Sequence, residues 1–491
     1  MTAGSRQGGR GNVATGPWGP GTHFHFIGIG GQSMSGLALG LRQLGFAVTG
    51  SDVVASERTR RVEGAGGGIW LGHDAATIAQ LPQRSVVVFT TDVPEDNPEL
   101  RAAREAGLPV VHRSEVLDWF LEGGVRRGQS EPIAVTGTHG KTTTTALIGY
   151  LLRAGDLDPT IFVAADVPYL QAGGAWNMAI GQGRPVVAEA DESDGSFLRY
   201  HPVIAVLTNL EPEHLEHYQN DFGLVLRAAR QFLGQVRPDG LCVLCADDER
   251  LREIGPSVDR EVLWYGLGAT AGLTCADLRL GEGSAFTVVA EGTPLGPVRL
   301  RIPGRHNVQN ALAAIGVALR MGVPFDHIAR ALPGFEGAAR RFQVLGCFGG
   351  VTVVDDYAHH PSEVRATLAA ARRRTSGRVI AVFQPHRYHR LYSLWEQFLE
   401  AFGDAHEVVV TDPYGPAGEA RLDGPGIAAL ARGIQETSGV PARYLGEQQA
   451  IVEYCLGSAV SGDVVLVMGA GDITGMAHQM AERLRCMAAT G

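Results

Sequence analysis

The chain has 491 residues, of which 45% are apolar and 19% charged, and its formal net charge is −10 at pH 7. At about 150 residues per domain, this length predicts three globular domains. The acidic balance argues against nucleic acid or an anionic membrane as a partner, and no apolar run reaches the roughly 20 residues that a membrane-spanning helix needs.

Two features of the sequence predict a cytoplasmic protein. Residues 1–22 read as a disordered tail, because they are rich in glycine and lack the apolar segment of a secretion signal. The six cysteines are scattered. Cys242 and Cys245 lie in an apolar run that predicts a buried strand, with no second pair at zinc-ligand spacing. Unpaired cysteines of this kind suit a reducing compartment.

Strand-like apolar runs alternate with helical periodicity along the chain, which predicts an α/β fold with mostly parallel sheets. The polar segment 122–131 and the glycine-rich segment 332–342 divide this pattern. We therefore predict domains at residues 23–128, 129–333 and 334–491 after the tail.

The first predicted strand leads into a glycine loop and a helix. Gly28 and Gly30 begin a G-x-G-x-x-G pattern, but Ser33 occupies the third glycine position. Asp52 ends the next strand, where a dinucleotide fold binds a ribose hydroxyl. One hypothesis is therefore an NAD(P)-dependent oxidoreductase. A helix N-terminus recognises phosphate in general, so another diphosphate ligand, or a purely structural turn, also fits.

The segment AVTGTHGKTTTT (134–145) resembles a phosphate loop in which Val135 replaces the first glycine. Lys141 is the single lysine among 42 basic residues. Its compact ammonium fits a loop that wraps phosphates closely, where a guanidinium would not. The flanking strand and helix direct backbone N–H groups at an anion, and Thr142 is placed to bind Mg²⁺. The segment predicts a nucleoside triphosphate site.

Two acidic segments follow predicted strands of the central domain. EADESD (189–194) offers the carboxylates of Glu189, Asp191, Glu192 and Asp194, and TNLEPEH (208–214) ends in His214. Ligands of an open parallel sheet bind beyond the carboxyl ends of its strands, so both segments should lie beside the phosphate loop. Carboxylates are preferred ligands of Mg²⁺. The alternative for each carboxylate is a solvated loop.

Three further patterns lie nearer the C-terminus. Asn307 and Asn310 share a helix face at i, i+3 spacing and would either read a purine edge or form a capping cluster. Arg387 and Arg390 follow a predicted strand and are placed to clamp a carboxylate or a phosphate. The adjacent histidines 359–360 are weaker metal candidates, because neighbouring side chains point apart in an extended chain.

Taken together, GTHGKTTTT, EADESD, TNLEPEH, PGRHNVQNA, RRFQ, DDYAHHPSEV, FQPHRY and GAGDI resemble the motifs of the Mur ligases, in order from about residue 23 to residue 475. The resemblance implies three domains. They are a Rossmann-like N-terminal domain that binds UDP, a central P-loop ATPase-like α/β domain and a Rossmann-like C-terminal domain that binds an amino acid.

Within the family, the motifs are most similar to the branch that joins L-alanine to the lactyl carboxylate of UDP-N-acetylmuramate through an acyl phosphate, in cytoplasmic peptidoglycan precursor synthesis. The resemblance implies ATP and Mg²⁺, with two ions and Mn²⁺ as a substitute, and a monomer or weak homodimer. One alternative is the recycling ligase that attaches the L-Ala-D-Glu-diaminopimelate tripeptide, although that branch usually has tyrosine at the position of Ser193. Another is a nucleotide-binding regulator without catalysis.

Position by position, the resemblance assigns most candidate residues to sites. It implies that the catalytic residues are Lys141, His214 and Arg341. It implies that ATP contacts Gly137, Thr138, His139, Gly140, Lys141, Thr142, Thr143, Asn307, Asn310, Arg341 and Asp356. The UDP-sugar is implied to contact Gly28, Gly30, Gly31, Ser33 and Asp52. The amino-acid site is implied to contain His359, Arg387 and Arg390, and the metal ligands to be Thr142, Glu189 and His214.

The sequence departs from the family pattern at four positions. Ser33 stands where glycine is more common, Glu213 and Glu216 where aspartate is usual, and Leu391 where a small hydroxyl residue is common. Sibling ligases hold the second Mg²⁺ with a carbamylated lysine. The only lysine here belongs to the phosphate loop, so this chain is expected to do without one.

Overall fold

The computed structural model describes residues 17–126, 128–213, 215–268, 270–415 and 424–490. These residues form three α/β domains in chain order, as the sequence predicts, with sheets of five, ten and six strands. No helix in this described part of the chain combines the length and the apolar character needed to cross a lipid bilayer.

The N-terminal domain is a parallel sheet with helices packed against it. Its strands are β1 (His23–Ile27), β2 (Ala47–Asp52), β3 (Gly68–Leu71), β4 (Ser85–Phe89) and β5 (Val110–His112), and its helices are α1 (Gln32–Gln43), α2 (Glu57–Gly64), α3 (Ala75–Ala79), α4 (Pro98–Glu105) and α5 (Arg113–Leu121). The strand order is β3-β2-β1-β4-β5. Because the order reverses at β1, the carboxyl ends of β1 and β4 form the crevice where such sheets bind ligands.

The folded part of this domain begins inside the predicted tail. Residues 1–22 were expected to be disordered, but residues 17–22 are described, and Trp18 packs against the domain. The ring centroid of Trp18 lies 5.3 Å from that of Phe24, edge-on, and 5.9 Å from that of Trp119. Aromatic pairs at these distances stabilise a fold beyond the area that they bury.

The central domain holds the phosphate loop in the middle of its sheet. Its strands are β6 (Glu131–Thr136), β7 (Thr160–Phe162), β8 (Met178–Ala179), β9 (Pro185–Glu189), β10 (Ile204–Leu207), β11 (Leu241–Cys245), β12 (Glu261–Tyr265), β13 (Leu273–Leu280), β14 (Ser284–Ala290) and β15 (Thr293–Leu300). Its helices are α6 (Lys141–Ala154), α7 (Phe222–Gly234), α8 (Glu249–Ile254), α9 (Arg305–Arg320) and α10 (Phe325–Ala331).

In the central sheet, β6 lies between β10 and β9 and is parallel to both. The acidic segments that follow β9 and β10 therefore flank the phosphate loop, which confirms their predicted placement. Cys242 and Cys245 are buried in β11, as predicted. The sheet is mostly parallel, as expected, with antiparallel pairing of β13, β14 and β15 at one edge and of β7 and β8 at the other.

The C-terminal domain is a second doubly wound sheet. Its strands are β16 (Gln343–Phe348), β17 (Val351–Asp356), β18 (Val379–Phe383), β19 (Glu407–Val410), β20 (Ala442–Tyr444) and β21 (Val464–Met468), and its helices are α11 (Pro361–Arg374), α12 (Tyr388–Ser393), α13 (Trp395–Leu399), α14 (Ile427–Ser438), α15 (Gln448–Ser458) and α16 (Thr474–Thr490). The order is β16-β17-β21-β18-β19-β20, parallel except for β16. Apolar clusters cover both faces of this sheet.

We expect Trp18→Ala to lower the free energy of unfolding of the N-terminal domain by about 1–3 kcal/mol, because the half-buried ring loses two aromatic partners. Chemical denaturation followed by intrinsic fluorescence measures the change. Val460→Ala is the matched control, because that side chain is 59% exposed. Equal stability of the Trp18 variant and the wild type would show that the contact contributes nothing.

Candidate active site

Two cavities lie where the three domains meet. The larger, of about 880 Å³, is lined by residues of all three domains, including Ser33, Thr138, Lys141, Glu189, His359, Arg387 and Arg390. The smaller, of about 290 Å³, lies between the central and C-terminal domains, with His139, Gly140, Thr143, Asn307, Asn310 and Asp356 in its walls. Thr142, Arg341 and Glu363 line both cavities. The structure thus brings most of the predicted site residues together.

The phosphate loop runs from the end of β6 to the start of α6. Gly140 has a φ of +84°, and a Cβ there would lie 2.6 Å from Oδ1 of Asn310, so only glycine fits. The loop places the N-terminus of α6 at the cavity, where it favours an anion. The ammonium of Lys141 curls back over the loop and donates to the carbonyl oxygens of Gly137 and Thr138, at 2.7 and 3.1 Å.

Lys141 is also paired with a carboxylate. Its Nζ lies 3.0 Å from Oε2 of Glu192. Burial disfavours the charged ammonium, but nearby carboxylates, chiefly that of Glu192, raise the pKa of Lys141 above its ordinary value. The lysine is therefore a permanent cation in the wall of the larger cavity.

Thr142 and Glu189 offer adjacent oxygen ligands. The hydroxyl of Thr142 donates to Oε1 of Glu189 at 3.0 Å, and Oε2 of Glu189 accepts from the backbone N–H of Ala164 at 3.0 Å. A hydroxyl and a carboxylate beside a phosphate loop form the donor set that a hard divalent cation prefers. The residues present therefore fit one such ion.

The other carboxylates of the acidic segment have a different use from the one predicted. Asp191 lies 3.0 Å, and Asp194 3.7 Å, from Nη2 of Arg113 in the N-terminal domain. Burial would raise the pKa of Asp191, but Arg113 and Lys141 lower it to about 2. These aspartates join two domains instead of offering free metal ligands. Arg113 carried no sequence signal, because its role depends on a neighbouring domain.

The two predicted asparagines form part of the smaller cavity. Asn310 donates from Nδ2 to Oδ1 of Asn307 at 3.2 Å, and Asn307 donates to the carbonyl oxygen of Pro303 at 2.7 Å. Both side chains are buried on one face of α9. The shared helix face is confirmed, and the hydrogen bonds fix the amide groups in one orientation.

Asp356 organises the hinge between the central and C-terminal domains. Its carboxylate accepts from the backbone N–H groups of Phe342, at 2.6 Å, and Ala358, at 2.7 Å. Burial raises the pKa of Asp356 to about 6. The neighbouring Arg341 guanidinium lies over the ring of Tyr357, 4.9 Å from its centroid, and faces both cavities.

The first glycine loop is held by the end of β2. The backbone N–H of Gly30 donates to Oδ2 of Asp52 at 2.8 Å, and a Cβ on Gly30 would lie 2.8 Å from that oxygen. The carbonyl oxygen of Ser51 accepts from the N–H of Gly28, whose own carbonyl oxygen accepts from the N–H of Gly31. One oxygen of the Asp52 carboxylate thus holds the loop backbone.

The two arginines that follow β18, Arg387 and Arg390, also line the larger cavity. Arg390 pairs with Glu213 of the central domain at 2.8 Å, and both side chains are nearly buried. Nε2 of His359 lies 3.8 Å from the same glutamate oxygen. Arg387 lies 3.9 Å from Asp92 of the N-terminal domain. The arginines therefore face the cavity while paired with carboxylates from the other two domains.

Two of the four departures from the family pattern have a clear position. Glu213 is long enough to reach Arg390 across a domain boundary. Leu391 is 1% exposed in the core of the C-terminal domain, so it does not face the amino-acid site. His214 and the side chain of Glu216 lie outside the part of the chain that the structure describes.

Glu363 is a cavity residue that the sequence analysis missed. Its Oε1 lies 3.1 Å from Nδ1 of His139 in the phosphate loop, whose Nε2 lies 3.6 Å from Oε2 of Glu211. Burial disfavours an imidazolium, but Glu363 and Glu211 raise the pKa of His139 to about 10. The sequence does contain one indication of the position of Glu363. It follows His360 by three residues, the spacing of a capping box at the start of a helix.

Comparison with known protein families assigns each domain. The Mur ligase family catalytic domain matches residues 23–124, the Mur ligase middle domain matches residues 135–318, and the Mur ligase glutamate ligase domain matches residues 340–471. The matches follow the order of the three sheets.

Individual relatives agree with this assignment. The chain is 47% identical over 473 residues, 95% of each sequence, to UDP-N-acetylmuramate–L-alanine ligase of Symbiobacterium thermophilum. It is 43% identical to the enzyme of the same name from Pelotomaculum thermopropionicum, over 94% of this chain and 98% of that one. The structure of UDP-N-acetylmuramate-alanine ligase from Thermotoga maritima matches 95% of this chain and 99% of that one, with 29% identity and a TM-score of 0.80. The chain belongs to the Mur ligase family.

Proposed function

We propose that the chain is an ATP-dependent ligase that joins L-alanine to the lactyl carboxylate of UDP-N-acetylmuramate, forming ADP and phosphate. The observation that carries this proposal is one cavity lined by both the phosphate loop and the Arg387–Arg390 pair. A phosphoryl donor and an amino-acid carboxylate can thus be held beside one acceptor. Relatives that are 40–47% identical over more than nine-tenths of the chain carry this activity in their names.

The chemistry needs the carboxylate to be activated before an amine attacks it. The γ-phosphoryl group of ATP passes to a lactyl carboxylate oxygen, which gives an acyl phosphate and ADP. The amine of L-alanine then attacks the acyl carbon, the C–O bond to phosphate breaks, and the amine loses a proton as the amide forms. Such transfers depend mainly on positioning and charge stabilisation.

The cationic residues of the site suit these steps. Lys141 is placed for the β- and γ-phosphates, and Arg341, which faces both cavities, for the transferred group. Asn307 and Asn310 line the part of the smaller cavity proposed for adenine, and Asp356 the part proposed for ribose. For the amino acid, we propose that Arg390 and Arg387 hold the carboxylate and that His359 lies beside the amine.

The reaction uses ATP with a divalent cation, and we propose Mg²⁺, with Thr142 and Glu189 among the ligands of one ion. When bound, the cation supplies positive charge to phosphate oxygens. A second ion, with His214 as a ligand and Mn²⁺ as a substitute, is part of the same proposal. The hydrogen bond from Ala164 to Glu189 would keep the carboxylate oriented toward Thr142.

The proposal extends to the organisation of the chain. We propose a UDP-sugar domain at residues 23–128, an ATP domain at 129–333 and an amino-acid domain at 334–491, close to the three family matches. Gly28, Gly30, Gly31, Ser33 and Asp52 would form the UDP-sugar end of the first domain. We further propose a cytoplasmic monomer or weak homodimer without nucleic-acid or membrane partners.

Two alternatives have less support. A murein peptide ligase from Psychrobacter arcticus shares the fold, with a TM-score of 0.71 over 95% of this chain and 99% of that one, but only 23% identity. An oxidoreductase would leave Lys141, Thr142 and Glu189 without a use.

We expect phosphate release from ATP in the presence of Mg²⁺ and UDP-N-acetylmuramate to require L-alanine. The tripeptide L-Ala-D-Glu-diaminopimelate should give no release above background. A coupled phosphate assay with the two acceptors in parallel measures both rates. Release with the tripeptide alone would move the chain to the recycling branch, and no release with either acceptor would contradict ligase activity.

We expect Lys141→Ala to lower kcat at least about 100-fold, because the loop loses its phosphate-facing cation. Lys141→Arg should be similarly impaired, since the buried stem leaves no room for the planar fork. Arg153→Ala removes a cation at the opposite end of α6 and serves as the control. Circular dichroism should show native folding in all three variants, and wild-type turnover of the alanine variant would refute the loop assignment.

We expect Arg390→Ala to raise KM for L-alanine about 10- to 100-fold, the cost of a charge-assisted hydrogen bond. KM for ATP should change little, because the charged partner of Arg390 is Glu213 and not a residue of the phosphate loop. Arg390→Lys keeps a positive charge beside Glu213 but loses the planar guanidinium that binds a carboxylate through two N–H groups. A raised KM in this variant would therefore reflect weaker binding of L-alanine and not a loss of folding. Arg365→Ala, on the exposed face of α11, is the control. An unchanged KM for alanine in both Arg390 variants would exclude this role.

A further inference from the structure

Glu363 connects the two domains that enclose the smaller cavity. It is the third residue of α11, where Oε2 accepts from the backbone N–H groups of His359, at 3.1 Å, and His360, at 3.3 Å. These bonds cap the helix and leave Oε1 facing the central domain. There it lies 3.1 Å from Nδ1 of His139. The inference that follows rests on the proposed ligase function.

The backbone of His139 is fixed by its own domain. Its N–H donates to Oδ1 of Asn209 at 2.8 Å, and its carbonyl oxygen accepts from Thr208 Oγ1 and Asn209 Nδ2, at 2.6 and 3.0 Å. Both partners lie directly after β10. The peptide of the phosphate loop therefore stays in place, and only the imidazole ring reaches the C-terminal domain.

The ring of His139 lies between two carboxylates, one from each domain. Nδ1 faces Glu363, and Nε2 lies 3.6 Å from Oε2 of Glu211. Nδ1 is within hydrogen-bond distance of Glu363, whereas Nε2 makes no hydrogen bond, so Glu211 acts on the ring through its charge. Two carboxylates this close to a buried ring stabilise its protonated, cationic form. The geometry therefore favours the imidazolium, in agreement with the pKa of about 10.

The remaining groups around the ring do not cancel this charge. The His360 ring lies 4.9 Å from that of His139, and burial lowers the pKa of His360. Burial also lowers the pKa of His306, at the start of α9, to about 4. Both neighbours are therefore neutral near pH 7. Glu213 adds negative charge from the segment after β10.

The Glu363 carboxylate is shared between His139 and Arg341. Arg341 Nη1 is 3.8 Å from the Glu363 oxygen that faces His139. Lys141 is held by Glu192 and by the carbonyl oxygens of the loop. His139 itself lines the smaller cavity, so its charge faces the nucleotide side of the loop.

We propose that Glu363 is a positioning residue that makes His139 a second cation of the phosphate loop, beside Lys141, when the C-terminal domain docks. Without that domain, Glu363 is removed and the ring keeps only Glu211. An ordinary histidine has a pKa of about 6.5 and is mostly neutral above pH 7. Docking thus adds positive charge beside the phosphates at the moment when the acceptor site is assembled.

The test compares His139→Asn, which removes the cation, with Glu363→Gln, which keeps an acceptor for the helix cap but removes the charge. Glu115→Gln is the matched control. Glu115 caps α5 with His112 through the same capping box and lines neither cavity. The first measurement is the ¹⁵N shift of the His139 ring against pH, assigned as the signal that His139→Asn lacks.

We expect the wild-type ring to stay doubly protonated through pH 9. In Glu363→Gln the ring should lose its proton at a pH at least about one unit below that of the wild type. The Glu363 carboxylate raises the pKa of His139, and the imidazolium persists only at pH values below that pKa. The Glu115→Gln control should leave the signal unchanged. A His139 ring that titrates near neutrality in the wild type, or an unaltered titration in Glu363→Gln, would overturn the proposal.

Kinetics give the second measurement. At pH 8.5 we expect kcat of Glu363→Gln to be about 10- to 100-fold below wild type, as for loss of one charge-stabilising donor, with an alkaline decline that starts at lower pH. In a His139→Asn background, Glu363→Gln should add no further shift. A uniform loss without a change of pH profile, or an equal loss in Glu115→Gln, would reduce Glu363 to a structural cap. If the proposed ligase reaction is wrong, the wild type will be inactive in this assay. The titration of the His139 ring would still show whether Glu363 keeps that ring protonated.

Discussion

The arrangement of the three domains depends on charges that are paired across their boundaries. Arg113 of the N-terminal domain meets Asp191 of the central domain, and Arg390 of the C-terminal domain meets Glu213 of the central domain. Breaking a buried ion pair such as Arg390–Glu213 by removing one partner costs about 3–5 kcal/mol, and the more exposed Arg113–Asp191 pair contributes less because solvent screens it. Each pair therefore keeps two cavity walls in register. The pairs also hold the site together before any substrate arrives, because Arg113, Lys141 and Arg390 each already have a carboxylate.

The same pairing explains how anionic substrates can enter a partly buried site. A phosphate that approaches Lys141 replaces one anion, Glu192, with another, so the ammonium is never left without a partner. An amino-acid carboxylate that approaches Arg390 stands in the same relation to Glu213. Exchange of this kind would keep each cation paired with an anion throughout.

The sequence was sufficient where function follows from local pattern. The strand, loop and helix around Lys141 and the shared face of Asn307 and Asn310 are set by residues close in the chain, and the structure confirms both arrangements. Parallel strands also brought the two acidic segments to the phosphate loop as predicted. Arg113 and Glu363 were missed because their partners lie in other domains, and no periodicity or spacing encodes a contact of that range. The pairing of Asp191 and Asp194 with Arg113 was not foreseen for the same reason.

Trp18 and Leu391 show the same limit for packing. A single aromatic residue in a glycine-rich segment gave no sign that Phe24 and Trp119 would receive it, and a hydroxyl-to-leucine change near a motif gave no sign that the side chain points into a core. The solitary lysine has a practical consequence. Acylation needs the neutral amine, and the paired ammonium of Lys141 stays protonated. In the folded protein an amine-directed reagent therefore leaves Lys141 unmodified and finds a single reactive amine, the chain's α-amino group.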